Sequence, residues 1–463
     1  MKYLDFFYEI SKIARPSYSC GKIADYLCAF AEARGLWFRR DASDNVVIKK
    51  PATAGYENAP VVMLQGHVDM VWCVDEGYEC EGEGVKIIRE GDWIRAEGTT
   101  LGADNGIAVA YMLAILDDNT LSHGELECVF TTDEEVGLLG AAAIDLSDSK
   151  AKYLLNMDTD CDGVMIAGCC GGLCIEAKFE GEREFVSGDV YKLSVSGLRG
   201  GHSGVNIDSN RMNAIRFINH ILTFAEENRT YRICEYTGGE KDNAIPNSAS
   251  VTFCGGDIEK IRSAMELVAP GLYATEEGSE VSFEKISDAG AECFSRKYTD
   301  ELVGFLMGAP NGVLDRLIDW TPTISDNIGV VRTEGGCITV TVSFRAYDDA
   351  YRDRYSARVV KMAEQCGAVT RIYGKYPGWD KREVSPLRDK ICEVWAEMTG
   401  EEMKTQVIHA GLECGVLTSK LPELDAVSFG PEMCDIHTTK ERLNVASSDK
   451  YYSFTVKLLA ELK

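Results

Sequence analysis

Histidine is scarce in this chain, with six in 463 residues: His67, His123, His202, His220, His409 and His437. Each can be weighed singly. Basic residues are also short: 48 Lys and Arg stand against 74 Asp and Glu, a formal net charge of −26. Such a surface argues against nucleic acid as a partner and against docking on anionic membranes. No apolar run approaches the roughly 18 residues of a membrane span. No C-x-x-C pair occurs among the 17 cysteines. That speaks against thiolate zinc ribbons and thioredoxin chemistry. The odd count and scattered placement predict mostly free, buried thiols in a reducing cytoplasm. There is no internal repeat and no low-complexity tract.

What is present is an ordinary globular composition, 45% hydrophobic and 26% charged. The length suggests two to three domains. The opening segment MKYLDFFYEISKIARP carries acids within its apolar pattern. It reads as an amphipathic helix with Leu4, Phe7, Tyr8 and Ile10 on related faces, not as a signal peptide. From 60 to 172, strand and helix alternate: PVVMLQGHVD, GADNGIAVAYMLAILDD, ELECVFTT, GLLGAAAID, AKYLLNMD. This predicts an α/β sheet flanked by helices. Beyond 172 the rhythm changes. Strand-like runs at 174–180, 189–196, 249–254 and 339–345 mix with helical runs at 210–227, 256–268 and 347–365. From 385 the alternation returns. The expected organisation is a first domain in two parts, 1–172 and 385–463, interrupted by an α+β insertion at 173–384.

The chemistry gathers at predicted strand ends, where ligands collect in α/β sheets. FTTDEEVGLLGA places Asp133, Glu134 and Glu135 after a buried-looking strand. A solvated turn is one reading. The other is a cation site, since adjacent like charges repel unless water or a cation separates them. His67 in LQGHVDMV ends a strand, with Asp69 two residues on to hold the ring nitrogen that faces away from a metal. Asp104 in TLGADNGIAVA enters a helix, where an N-cap is the alternative role. Asp158 follows the next strand, and His437 lies in GPEMCDIHTTKERLN. Two histidines and three carboxylates form an N/O set suited to a pair of divalent ions: zinc, manganese or cobalt rather than copper or calcium. The second glutamate is left over as a base for water.

In order, H-x-D, G-A-D-N-G, D-E-E-x-G, N-x-D and a late histidine resemble the M20 metallopeptidases, most closely their aminoacyl-histidine dipeptidase branch. GLRGGHSGVNI (197–207), DNAIPNSA (242–249), GCCGG (168–172) and HAGLECGVL (409–417) add to the likeness, which spans nearly the whole chain. The resemblance implies that Asp104 bridges two metal ions, with His67 and Asp158 completing one set of ligands and Glu135 and His437 the other. It makes Asp69 the residue that orients His67 and Glu134 the general base, and it implies a cis Asp104–Asn105 bond. It makes the insertion a lid and dimerisation domain. There His202 and Asn243 reach the partner subunit's site, and Arg345 binds the substrate carboxylate. Aspartate at the position of Asp158 goes, in that family, with peptidases acting near a free amino end.

The implied protein is a cytoplasmic, homodimeric, di-metal dipeptidase acting on short peptides. An M20-type deacylase or aminopeptidase stands as the alternative, and a non-catalytic metal-binding scaffold as a third. Glu134, Asp69 and Arg345 count against the scaffold.

Overall fold

The computed structural model describes residues 2–80, 84–225, 230–317 and 321–463. The chain divides into two compact units, one made of 1–169 with 379–463 and the other of 170–378.

The discontinuous unit is built on a mixed sheet, eight-stranded among the described residues. Its centre is four mutually parallel strands in the spatial order Leu126–Thr131, Val62–His67, Tyr153–Asn156 and Asp425–Phe429. The antiparallel strands Val46–Lys50 and Trp37–Arg40 extend one side. On the other, Val164–Cys169 runs antiparallel to Asp425–Phe429 and parallel to Lys404–Ile408. The late strand Asp425–Phe429 thus lies between two strands from the first half of the sequence. Every residue of Val62–His67 and Leu126–Thr131 is buried, as expected of parallel strands covered on both faces.

The helix Ala103–Asp117 is apolar on all sides and buried from Ile107 to Leu116, the pattern of a helix enclosed in a core. It presses on the sheet at Gly66, where a Cβ would meet Asn105 Oδ1 at 2.3 Å and the Ala108 Cβ at 2.7 Å. The N-terminal helix Lys2–Ile10 buries Tyr3, Leu4, Phe6, Phe7 and Ile10. That face is wider than the sequence pattern predicts, because Tyr3 packs on Tyr111 and Tyr452, and Phe6 on Phe30. Tyr8, expected on the buried face, is only half-buried.

The continuous unit holds an antiparallel sheet, nine-stranded among the described residues. At its centre Pro322–Glu334 pairs with Cys337–Ala346, which pairs with Gly171–Glu180. Four helices, Ala214–Ala225, Ile258–Thr275, Arg296–Gly308 and Asp349–Gln365, contribute to its apolar core. The helix expected over 210–227 begins at Ala214, and its last two expected positions, 226 and 227, lie outside the described residues.

The units part at 169/170 and 378/379, a few residues before the boundaries drawn from the change in strand and helix rhythm. Pairing explains the offset. The strand Gly171–Glu180 is already in register with Ala346 at Gly171. At the return, Cys169 and Trp379 exchange backbone hydrogen bonds of 2.9 and 2.8 Å. All 17 cysteines are free thiols, with Cys80 and Cys161 exposed. No helix among the described residues is long and apolar enough to cross a membrane.

Candidate active site

The parallel strands deliver their C-terminal ends to one edge of the sheet. His67 is the last residue of its strand, Glu134 and Glu135 follow Thr131 by three and four residues, and Asp158 follows Asn156 by two. His437 comes from the loop beyond Phe429. Two turns in the left-handed region aim these groups: Asp133, with φ of 54°, precedes the glutamates, and His437 itself has φ of 64°. Non-glycine residues held there concentrate where function over-determines the backbone.

Asp104 sits where the chain enters the helix, but it is not an N-cap. Its ψ of 107° departs from helical values, and the cap position is Gly102. The Asp104–Asn105 peptide is cis. The two Asp104 oxygens face different histidines: Oδ1 lies 3.2 Å from His67 Nε2, and Oδ2 lies 3.1 Å from His437 Nε2. On the His67 side, Asp158 Oδ1 is 3.5 Å from Nε2 and Glu134 Oε2 is 4.0 Å. On the His437 side, Glu135 Oε1 is 2.9 Å from Nε2. Ligand atoms of His67, Asp104 and Glu135 all lie within 4.8 Å of one another.

Asp69 is fully buried and organises its neighbours. Its carboxylate accepts the backbone N–H groups of Glu134 at 3.0 Å and Glu135 at 3.3 Å, and the Ser17 hydroxyl at 2.8 Å. His67 Nδ1 lies 3.1 Å from the Asp69 carbonyl oxygen and 3.4 Å from its carboxylate. The main-chain oxygen is therefore the nearer of the two partners. Either one keeps the proton on Nδ1 and leaves Nε2 as a lone-pair donor.

The electrostatics follow from crowding. Burial alone would depress the His67 imidazolium, but Asp158, Asp104 and Asp69 outweigh it and raise its pKa well above the ordinary value. Burial would raise Asp104, yet its hydrogen bonds to His437 and His67 hold it below the usual carboxylate range. Glu134 is pushed well up by burial, with Glu135, Asp158 and Glu413 adding to it. Burial and Asp104 raise Glu135, and burial carries Asp158 up to about 7. The imidazoles of His67 and His437 offset part of the charge of four carboxylates so closely set. A divalent cation balances them better, and this donor set of imidazole nitrogens and carboxylate oxygens fits zinc, manganese or cobalt.

Behind the strand ends lies a network that the sequence did not disclose. Gln65 donates to Thr131 Oγ1 at 3.0 Å and to Glu413, and it accepts from Asn156 Nδ2 at 2.6 Å. Thr131 donates to Glu413 Oε2 at 2.7 Å. It ties together the three strands that carry His67, the glutamate pair and Asp158. Its sequence signals are the polar residues inside buried parallel strands and the HAGLECGVL stretch that supplies Glu413.

The continuous unit gathers the remaining expected residues. Gly201 and His202 pair with Ile245 and Ala244, and Ser203 N–H donates to the Asn243 carbonyl at 2.8 Å, so Asn243, which is exposed, lies beside His202. His202 Nδ1 accepts backbone N–H groups from Gly204 at 3.3 Å and Val205 at 3.1 Å. The neutral ring then carries its proton on Nε2, which lies 3.3 Å from Arg345 Nη2. Two donors thus stand side by side, an arrangement suited to an anion. Arg345 Nη1 donates to the Tyr376 hydroxyl at 2.7 Å. Tyr376 is a neighbour that a strand tyrosine's sequence context gives no reason to single out.

A mixed α/β sheet with this cluster at its strand ends, interrupted by an antiparallel unit, is matched by the sequence profile of Peptidase family M20/M25/M40 over residues 63–461. The chain belongs to that family and is a hydrolase of the peptidase class. Among its relatives is the cytosol non-specific dipeptidase of Escherichia coli K12, 32% identical over 99% of this chain and 97% of that protein. The crystal structure of aminoacylhistidine dipeptidase from Vibrio alginolyticus is similar with a TM-score of 0.82 and 32% identity, covering 100% of this chain and 96% of the other. A tripeptidase from Staphylococcus aureus shares the fold alone, with a TM-score of 0.58 and 17% identity over 100% and 98% of the two chains.

Proposed function

We propose that the chain is a dipeptidase that uses two divalent cations, zinc or else manganese or cobalt, and accepts aminoacyl-histidine substrates among others. The observation that carries this reading is the division of Asp104, whose oxygens face His67 and His437 at 3.2 and 3.1 Å. His67, Asp104 and Asp158 would hold one ion, and Asp104, Glu135 and His437 the other. When bound, the ions supply Lewis acidity, polarising the scissile carbonyl and making a water molecule acidic enough to ionise near neutral pH.

Glu134 accepts the proton from that water and returns it to the leaving amine. Asp69 holds the main chain of both glutamates and so keeps their two carboxylates apart in role. Arg345 grips the C-terminal carboxylate of the substrate with its fork, a geometry lysine does not reproduce. That contact fixes substrate length, since the carboxylate must lie one residue from the scissile bond. The continuous unit serves as lid and dimerisation domain of a homodimer. His202 and Asn243 complete the site of the other subunit, with the His202 Nε2–H stabilising the developing oxyanion. The relatives named as dipeptidases support the substrate class, and the one named as a cytosol enzyme supports a cytoplasmic location.

The test is a panel of dipeptides, tripeptides, dipeptide amides and N-acetyl amino acids, assayed before and after chelation. Free dipeptides should be cleaved fastest, chelation should abolish the activity, and zinc, manganese or cobalt should restore it. Full activity in metal-free protein, or equal rates on N-acetyl amino acids, would overturn the proposal.

A further inference from the structure

Arg15 and Glu441 take no part in the chemistry above, yet both are almost wholly buried, at 1% exposure each. Glu441 lies four residues after His437. Its Oε2 accepts the backbone N–H groups of Leu101 and Gly102, both at 2.9 Å, and its Oε1 accepts those of Ala103 at 2.8 Å and Asp104 at 3.2 Å. One carboxylate therefore holds four consecutive amides, the last being that of Asp104.

Arg15 grips the same segment from its carbonyl side. Its Nη2 donates to the Gly102 carbonyl at 2.5 Å, and its Nη1 donates to the carbonyls of Val68 at 2.8 Å and Asp69 at 3.4 Å. Those two residues directly follow His67. The loop is shaped around the guanidinium: a Cβ on Gly102 would lie 2.7 Å from Arg15 Nη2, and one on Gly106 only 2.4 Å. Gly102 also has φ of 70°, so its lack of a side chain is needed twice over.

We infer that Arg15 and Glu441 form a buried brace that sets the register of the three loops bearing His67, Asp104 and His437, and so the spacing of the two metal positions. Both are positioning residues. The inference rests on the di-metal reading of the cluster. Both residue types are demanded by the geometry. A carboxylate has about four acceptor sites on two oxygens, enough for four amides, whereas glutamine would turn an NH₂ group onto two N–H donors. A guanidinium spans carbonyls on two loops, which the single point charge of lysine does not.

The test compares wild-type protein with Glu441→Gln and Arg15→Lys. Chelator-stripped protein is titrated with cobalt(II), followed by its visible absorption and by elemental analysis, alongside thermal unfolding, kcat and KM. Wild-type protein should take up two cobalt ions. The variants should remain folded and bind at least one ion roughly 10–100-fold more weakly. Their absorption bands should change, and kcat should fall while KM changes little. If Glu441→Gln does not fold, Arg15→Lys decides on the same readouts. A lower melting temperature with cobalt affinities and spectra unchanged means that the pair only holds the fold, and overturns the brace. Wild-type protein that takes up no cobalt overturns the di-metal reading beneath it, a result distinct from variants that match a two-cobalt wild type.

Discussion

The Asp69 carboxylate receives the backbone N–H of Glu134 at 3.0 Å, across 65 residues of sequence. The same carboxylate takes the N–H of Glu135 and the hydroxyl of Ser17. Asp69→Asn replaces one acceptor oxygen with a donor facing other donors. We expect kcat to fall by roughly 10–100-fold, as for other residues that orient metal ligands, with the variant still folded. Steady-state kinetics with circular dichroism checks this. Activity within a factor of two of wild type would show that the turn holds itself.

Glu134 and Glu135 are adjacent but are assigned different work, so their amides should fail differently. Glu134→Gln should keep full metal content and lose roughly 10²–10⁴-fold in rate, the span of general acid–base catalysis. Glu135→Gln should lose metal occupancy instead. Elemental analysis beside kcat separates the two, and the reverse pattern would exchange the roles.

Arg345 leads to a prediction about substrate ends. A hydrogen bond to a charged group contributes roughly 1.5–3 kcal/mol. Amidating the substrate's C-terminus should therefore lower kcat/KM by about 10- to 200-fold. Arg345→Lys should cost nearly as much on free dipeptides and much less on the amides. If both substrates lose equally in the variant, Arg345 does not read the carboxylate.

Asp326 offers a test of stability against pH in the continuous unit. It is 1% exposed, and among the described residues neither carboxylate oxygen has a hydrogen-bond partner. Burial raises its pKa well above the ordinary value, with Arg216 opposing. The folded state thus holds the proton more tightly than the unfolded state. Stability is lost as pH rises through the unfolded value near 3.9, at about 1.4 kcal/mol per unit of elevation, and levels off above the folded value. Asp326→Asn should therefore raise the melting temperature at pH 8 and leave it nearly unchanged at pH 3.5. Equal shifts at both pH values would show that packing, not charge, is at issue.

The convergence of His67, Asp104, Glu134, Glu135, Asp158 and His437 was legible because each follows a strand or opens a helix, and parallel strands bring such positions to one edge. The alternation of strand and helix gave the mixed sheet in the same way. What stayed hidden was long-range pairing. Nothing local in ISKIARPS announces that Arg15 will reach Val68 and Gly102. Nothing near Tyr376 announces Arg345. The units part a few residues before the bounds drawn from the change in strand and helix rhythm, because strand pairing, from Gly171 and between Cys169 and Trp379, sets them.

The placement of Asp425–Phe429 has a consequence for synthesis. This strand lies between Tyr153–Asn156 and Val164–Cys169, so the two early strands emerge from the ribosome with a vacant lane between them. More than two hundred residues separate them from the strand that fills it. His437 and Glu441 arrive later still. A nascent or truncated chain that ends with the inserted unit lacks both the strand that closes the sheet and the last histidine of the cluster. On the function proposed above, peptidase activity waits for residues 425–441, and a chain that stops before them lacks part of the cluster.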